Sequence, residues 1–309
     1  MVNRDIIVLT GSHRSGSTWA GKMIALSPRV YYIAEPFNPR RKQLASPFNT
    51  WPLDPTLVEV KEQRQMLEYL TRVLYNPLYY FLYNMHYLIA RKRRVFVKYF
   101  YSYMSNVLDN QRKAMSKVTC PVLKDPTALF ALEWIEDHFN SKMVVLIRHP
   151  AAFVASTKIA HWDFAVEEFL KQPRLIETHF SEYAGEIYDF AKNDKNLIEN
   201  NVLAWKLLHK RILQYREIHK DWYFVKHEEL SLNPVGEFEK MYECLDIPFD
   251  SKVISNINLF TKSKRDDYYH RDSRKNVYSW KKRLSAREIE YVRDNTKDIW
   301  PEFYGNNDW

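Results

Sequence analysis

The residues best suited to chemistry cluster at a few places in the chain. The first is GSHRSGST at 11–18, where Gly11 and Gly16 let the backbone turn tightly and point several N–H groups at one spot, beside Arg14, Ser17 and Thr18. Such a turn ahead of a helix suits an anion, because the helix start presents free amides and the positive end of its dipole. The Gly-x4-Gly spacing is that of a nucleoside-triphosphate loop, but Ser17 stands where that loop needs lysine, so a kinase would lack its charge on the terminal phosphates. The second place is Glu35, set before Pro36 after a short apolar run. It is a candidate general base, with a surface loop glutamate as the plainer alternative. Lys124 also ends an apolar run. Arg148 and Ser156 would direct a guanidinium and a hydroxyl two helical turns along toward a second phosphate. His149, between Arg148 and Pro150, reads as a hydrogen-bonded structural residue rather than a catalyst. Last comes the basic stretch from Lys262 to Lys282, with Arg271, Arg274, Lys275, Lys281 and Lys282 around Ser273, Ser279 and Trp280. Beside a phosphate site it reads as a clamp, and elsewhere as a solvated loop.

These groups act together only if the fold brings them to one edge, and the pattern of the chain predicts that it does. Ile6–Leu9, Tyr31–Ile33, Pro121–Lys124, Met143–Ile147 and Trp222–Lys226 read as short strands, the fourth a continuous apolar run suited to burial on both faces. Helices are expected from Ser17, from Asp125-Pro126 with Leu129, Leu132, Ile135 and Phe139 inward, and after Arg148. A further helix is expected over 200–219, with Trp205, Leu208, Ile212 and Tyr215 inward and its charges solvated, and another from Asn233-Pro234. The alternation predicts an α/β fold, a P-loop-like doubly wound parallel sheet flanked by helices. Glu35, Lys124 and Arg148 then fall at the carboxyl ends of strands, where such sheets bind ligands. Residues 40–118, with Arg40, Arg41, Lys42 and many tyrosines, read as a helical, aromatic-rich insertion within one domain spanning 1–309, on the acceptor side or near a membrane.

Bulk composition sets limits. The chain has 309 residues, 46% apolar and 27% charged, which is ordinary globular composition. A net charge of +8 favours phosphates, sulfates, acidic glycans, nucleic acid or an anionic membrane without choosing among them. Cys120 and Cys244 are too few for a disulfide framework and read as buried, in a reducing compartment. No apolar run behind a basic start marks a signal peptide, so a cytoplasmic location is expected. VLYNPLYYFLYNMHYLIA at 73–90, followed by Arg91, Lys92, Arg93 and Arg94, has nearly the length of a membrane span, but Asn76, Pro77, Asn84 and His86 interrupt it. A buried aromatic helical layer is the preferred reading, ahead of a peripheral membrane or lipid-acceptor surface and of a spanning helix.

Taken together, GSHRSGST at 11–18, Glu35, LKDP at 123–126, RHPAAFVAS at 148–156, KHEELSLNP at 226–234 and SRKNVYSWKK at 273–282 resemble the PAPS-dependent sulfotransferases, particularly the branch with bacterial and Golgi-type enzymes. PAPS is 3′-phosphoadenosine 5′-phosphosulfate. The resemblance implies that Ser12, His13, Arg14, Ser15, Gly16, Ser17 and Thr18 bind the 5′-phosphosulfate and that Arg148 and Ser156 bind the 3′-phosphate. It further implies that Glu35 deprotonates the acceptor hydroxyl and that Lys124 stabilises the leaving phosphate. Arg274, Lys275 and Ser279 resemble the late nucleotide contacts, with Asn276 where the cytosolic enzymes have glycine, and Arg14 stands where those enzymes have lysine. The implied acceptor is a hydroxyl on a carbohydrate or glycoconjugate, with phenolic, tyrosyl or lipid hydroxyls as alternatives and adenosine 3′,5′-bisphosphate as product. No metal and no nucleic-acid partner are expected. Sulfuryl transfer resembles phosphoryl transfer in needing positioning, cationic or amide donors and a base. A small-molecule or nucleoside kinase with a degenerate loop and a polyanion-binding module without turnover are the competing readings.

Overall fold

The structure, a computed structural model, describes residues 5–40, 44–90, 105, 107–116, 119–164, 166–193, 195–261, 274 and 277–309. The expectations placed on Arg41, Lys42, Arg91, Lys92, Arg93, Arg94, Arg271, Ser273 and Lys275 lie outside the described residues.

The apolar runs form β1 (Ile6–Gly11), β2 (Val30–Ala34), β3 (Cys120–Lys124), β4 (Ser141–Ile147) and β5 (Tyr223–Lys226). All pair in parallel, in the order β2-β3-β1-β4-β5, so β1 lies at the centre with Leu9 opposite Lys124 on one side and Val144 on the other. Parallel neighbours need crossovers, and helices provide them. Those that matter here are α1 (Ser17–Ile24), α2 (Val60–Tyr75), α3 (Pro77–Ala90), α4 (Leu132–His138), α5 (Pro150–Ile159), α6 (Leu197–Ile218), α7 (His227–Leu232) and α8 (Pro234–Cys244).

Side chains alternate across the sheet with period two. Ile6, Val8, Ile33, Leu123, Val145 and Ile147 join the core that α4, α5 and α6 cover, whereas Ile7, Leu9, Val122, Val144, Leu146 and Val225 pack with Met23 of α1 and Phe238, Met241 and Tyr242 of α8. Burial on both faces explains why these strands read as unbroken apolar runs.

The 40–118 segment covers the outer edge of β2. Tyr80 and Tyr83 of α3 donate hydroxyl hydrogen bonds to the carbonyls of Tyr32 and Ala34 at 2.8 and 2.6 Å, and the Tyr32 N–H donates to Asn110 at 2.9 Å. An edge strand presents unpaired backbone groups, and this is what the tyrosine-rich layer satisfies. Asn76-Pro77 separates α2 from α3, and among the described residues no helix is long and apolar enough to cross a membrane.

Three local expectations are corrected. The stretch after Asp125 begins as a 3-10 turn, Pro126–Ala131, because the Asp125 carboxylate accepts the Thr127 N–H at 2.8 Å and tightens the start; the α-helix begins at Leu132. The charges of α6 are not all solvated. Lys206 and Arg211 are buried and paired with Glu186 at 2.7 Å and Glu133 at 2.6 Å, because neighbours pack on this helix beyond its apolar stripe. Cys244, the last residue of α8, is exposed, and Cys120 is only partly buried.

Candidate active site

At the centre of the sheet, Gly11 has φ 142° and Gly16 has φ 85°, conformations that L side chains rarely adopt. A Cβ at Gly11 would collide with the Leu146 carbonyl of β4, and one at Gly16 with the His227 imidazole. Between them the Ser15 N–H closes the loop onto the Ser12 carbonyl at 3.1 Å. Gly16 precedes α1 and brings no side-chain cap, so the first amides of the helix stay open at the mouth of the loop. The hydroxyls of Ser12 and Ser15 are buried and have no hydrogen-bond partner among the described residues. Buried unpaired hydroxyls are uncommon in folded proteins. Together with the open amides, these two fit an anionic group seated in the loop.

His13 projects from the same loop between two indoles, with ring centroids 4.6 Å from Trp51 and 4.9 Å from Trp162. Burial holds its pKa down to about 3; Lys124, Arg40 and Arg14 push the same way and Glu35 opposes. The imidazole is therefore neutral at ordinary pH.

A cation–carboxylate pair stands on each side of the loop. Toward β2, the ammonium of Lys124, at the end of β3 and 2% exposed, pairs closely with Glu35, which follows β2 at φ 54°. The second Glu35 oxygen accepts from Asn38 at 2.9 Å. Asp125 lies next in the chain, and burial, reinforced by the charge of Glu35, raises its pKa to about 6. Toward β5, the Arg148 Nε at the end of β4 lies 3.5 Å from Glu228 of α7, an ion pair without hydrogen-bond geometry at that nitrogen. Burial lowers the pKa of this guanidinium, and Glu228 opposes the shift.

The chain around Arg148 is held from α6: its N–H donates to His209 Nε2 at 3.3 Å and its carbonyl accepts from the Trp205 indole at 2.8 Å. Ser156 of α5 meets the loop directly, since the Arg14 Nε donates to its hydroxyl at 3.0 Å. The first loop and the Arg148–Ser156 element are thus joined by this hydrogen bond.

His149 is buried, as a structural residue should be, but neither ring nitrogen has a hydrogen-bond partner among the described residues, against expectation. Aromatic packing holds it instead. It stacks on Trp280 at 5.1 Å and 12°, with the edges of Tyr304 and Trp309 at 4.9 and 4.6 Å, and burial pushes its pKa down to about 4. Of the late basic segment, Arg274 is exposed and Ser279 opens the short helix Trp280–Arg283, whose Trp280 packs on His149 beside Arg148.

Sequence reasoning missed Glu228, His209, Trp205 and Tyr304 as parts of the site. The strand exit KHEEL marked Glu228's position without its partner. Trp205 read as one more member of a helix stripe, and no local signal marked Tyr304.

A five-stranded parallel sheet of this order, with a glycine-bearing loop between its central strand and the next helix, is the architecture of P-loop-like α/β proteins. Within that class the chain belongs to the sulfotransferase family, whose model matches residues 6–251. Among curated proteins none matches the chain in sequence. Among solved structures, it is similar to the sulfotransferase domain of the Synechococcus PCC 7002 olefin synthase at 18% identity, covering 98% of this chain and 95% of that one, with a TM-score of 0.50. The sulfotransferase domain from the curacin biosynthetic pathway follows at 16% identity, 95% and 97% coverage and a TM-score of 0.49. Sulfotransferase STF9 from Mycobacterium avium is 14% identical, with 98% and 77% coverage and a TM-score of 0.44. Identity this low speaks for the fold and not for the acceptor. Family membership sets aside the kinase reading that the missing lysine at Ser17 had already weakened.

Proposed function

We propose that the protein moves the sulfuryl group of PAPS to a hydroxyl of a carbohydrate or glycoconjugate, within the branch that includes bacterial and Golgi-type enzymes. The observation that carries this reading is the 3.0 Å hydrogen bond from Arg14 to Ser156, which joins the first loop to the element starting at Arg148. A donor with anionic groups at both ends of a nucleoside matches two linked cationic sites better than a single phosphate does. Ser12, His13, Ser15, Gly16, Ser17 and Thr18 with the loop amides, and Arg14, would hold the phosphosulfate end. Arg148 and Ser156, with Arg274, Lys275 and Ser279 as late contacts, would hold the 3′-phosphate. The rings of Trp51 and Trp162 beside His13 offer flat faces for a sugar.

The donor supplies an activated sulfuryl group: the acceptor oxygen bonds to sulfur, the S–O bond to the 5′-phosphate breaks, and adenosine 3′,5′-bisphosphate leaves. Glu35 accepts the proton of the acceptor hydroxyl at a carboxylate oxygen. Neutralising Glu35 ends its hold on Lys124, whose charge is then free to meet the negative charge on the departing phosphate. The ion pair therefore couples the base to the leaving-group cation.

Calorimetric titration with adenosine 3′,5′-bisphosphate, and with ATP plus Mg²⁺ at matched ionic strength, tests the reading. Metal-independent bisphosphate binding, weakened by ~1.5–3 kcal/mol in Arg148→Ala, is the expected result, from loss of a charge-assisted pair. A preference for Mg-ATP would overturn it.

A further inference from the structure

We infer that Glu228 is a positioning residue for donor binding: it fixes the Arg148 guanidinium in place and is itself held by Tyr304 from the C-terminal segment. This rests on the proposed role of Arg148 at the 3′-phosphate. Glu228 sits at the start of α7, directly after β5, on the strand next to the one that delivers Arg148. One of its oxygens lies 3.5 Å from the Arg148 Nε and also accepts the His149 N–H at 3.3 Å. The other accepts the Tyr304 hydroxyl at 2.9 Å.

The carboxylate is thus engaged by a cation and a backbone amide from one strand exit and by a phenol from the C-terminal segment. Its own side chain is 14% exposed, and that of Arg148 is 10% exposed. Each contact removes a degree of freedom. The amide bond ties Glu228 to the same strand exit as Arg148, and the phenol fixes the remaining oxygen. Glu228 faces the guanidinium at Nε, on one edge only, and the two Nη nitrogens make no hydrogen bond among the described residues. An arginine engaged at one edge keeps its other edge for a planar anion.

Its contacts run to the Arg148 strand exit and to Tyr304, so its part is geometric. Tyr304 lies beyond residue 251, where the family match ends. The C-terminal segment would thereby be coupled to donor affinity without touching the donor. Lys226 reinforces the arrangement, with its ammonium 5.4 Å from the Tyr304 ring centre.

The test compares two ligands that differ only by the 3′-phosphate, adenosine 3′,5′-bisphosphate and adenosine 5′-monophosphate, by calorimetry on the full chain. Glu228→Ala should lower the preference for the bisphosphate about tenfold while leaving 5′-monophosphate affinity intact, as for an imperfectly placed charged hydrogen bond. Glu228→Gln keeps the size but only one acceptor oxygen, which can hold the His149 N–H while its amide N–H donates to the Tyr304 oxygen, and should restore part of the preference lost in Glu228→Ala; Tyr304→Phe should lower the preference by a smaller factor than Glu228→Ala. An unchanged preference in Glu228→Ala, with Arg148→Ala abolishing it, would overturn the inference and leave the Arg148 assignment standing. An unchanged preference in Arg148→Ala would overturn both. If Glu228→Ala loses both ligands together, the fold has failed, and Tyr304→Phe decides: a lowered preference supports the inference and a wild-type preference overturns it.

Discussion

Two cation–carboxylate pairs flank the phosphate loop, and their similarity is the starting point for separating their roles. Each joins a cation at the end of a strand beside β1, Lys124 of β3 or Arg148 of β4, to a carboxylate after the next strand outward, Glu35 past β2 or Glu228 past β5. The difference lies in what else the carboxylates do. Glu35 has the close ammonium of Lys124 and a neutral amide from Asn38, while Glu228 divides itself among Arg148, the His149 backbone and Tyr304. Within the proposed function, the carboxylate paired with the buried Lys124 ammonium takes the acceptor proton, and the one tied to the Arg148–His149 strand exit and to Tyr304 orients. Under the proposed function, matching topology would thus serve chemistry on one side and placement on the other.

The largest expected effect breaks the comparison at its chemical end. Glu35→Gln preserves shape and the Asn38 contact yet cannot take a proton, so kcat should fall ~10²–10⁴-fold, the range for general-base help, with bisphosphate affinity unchanged. Losses from Glu228 variants should fall in the KM for donor instead. Steady-state kinetics with varied donor at saturating acceptor separates the two, and wild-type kcat in Glu35→Gln would remove Glu35 as the base.

A somewhat smaller effect concerns stability. Lys124 is almost wholly buried, so Lys124→Met removes the ammonium paired with Glu35 and should cost ~3 kcal/mol, at the lower end for a broken buried pair because Glu35 keeps some contact with water. Urea unfolding should then show the double variant Lys124→Met with Glu35→Gln recovering part of the loss, since two neutral groups need no partner. A double variant no more stable than Lys124→Met would mean that the pair contributes packing and not charge.

How much of this was legible in the sequence follows from the same contrast. That Glu35, Lys124 and Arg148 would meet at one edge was legible because each ends an apolar run and parallel sheets gather strand ends at one edge; Gly11 and Gly16 marked the turn between them. The strand order, and hence which carboxylate faces which cation, is a tertiary fact that no single run encodes. Tyr304 and His209 reach the site from segments whose local pattern says only helix or coil. The misreadings share a cause. Lys206 and Arg211 look solvated and His149 looks hydrogen-bonded when only chain neighbours are considered, and packing from distant elements decides otherwise.

The smallest effect sharpens the comparison through pH, because the two sides titrate with opposite sign. On the Arg148 side, burial pushes His149 to about 4 and His209 to about 3, from an ordinary 6.5. His209 has a second reason to stay neutral, since its Nε2 accepts the Arg148 N–H while Nδ1 faces the Trp205 carbonyl at 2.9 Å. Below pH 6.5 the unfolded chain takes up protons that the folded chain refuses, so each histidine removes about 1.4 kcal/mol of stability per pH unit as the medium approaches its folded pKa. On the Lys124 side, Asp125 is raised to about 6 from 3.8, so between those values the folded state binds the extra proton and gains stability on acidification. His13 of the loop, held down to about 3, adds to the loss, so three histidines against one aspartate leave a net loss of about 2.8 kcal/mol per unit from these groups between roughly pH 6 and 4. Chemical unfolding across that range should show the slope flattened in His209→Gln and steepened in Asp125→Asn. If both variants kept the wild-type slope, neither side would owe its pH response to these groups, and the opposition between the two flanks would be confined to their ion pairs.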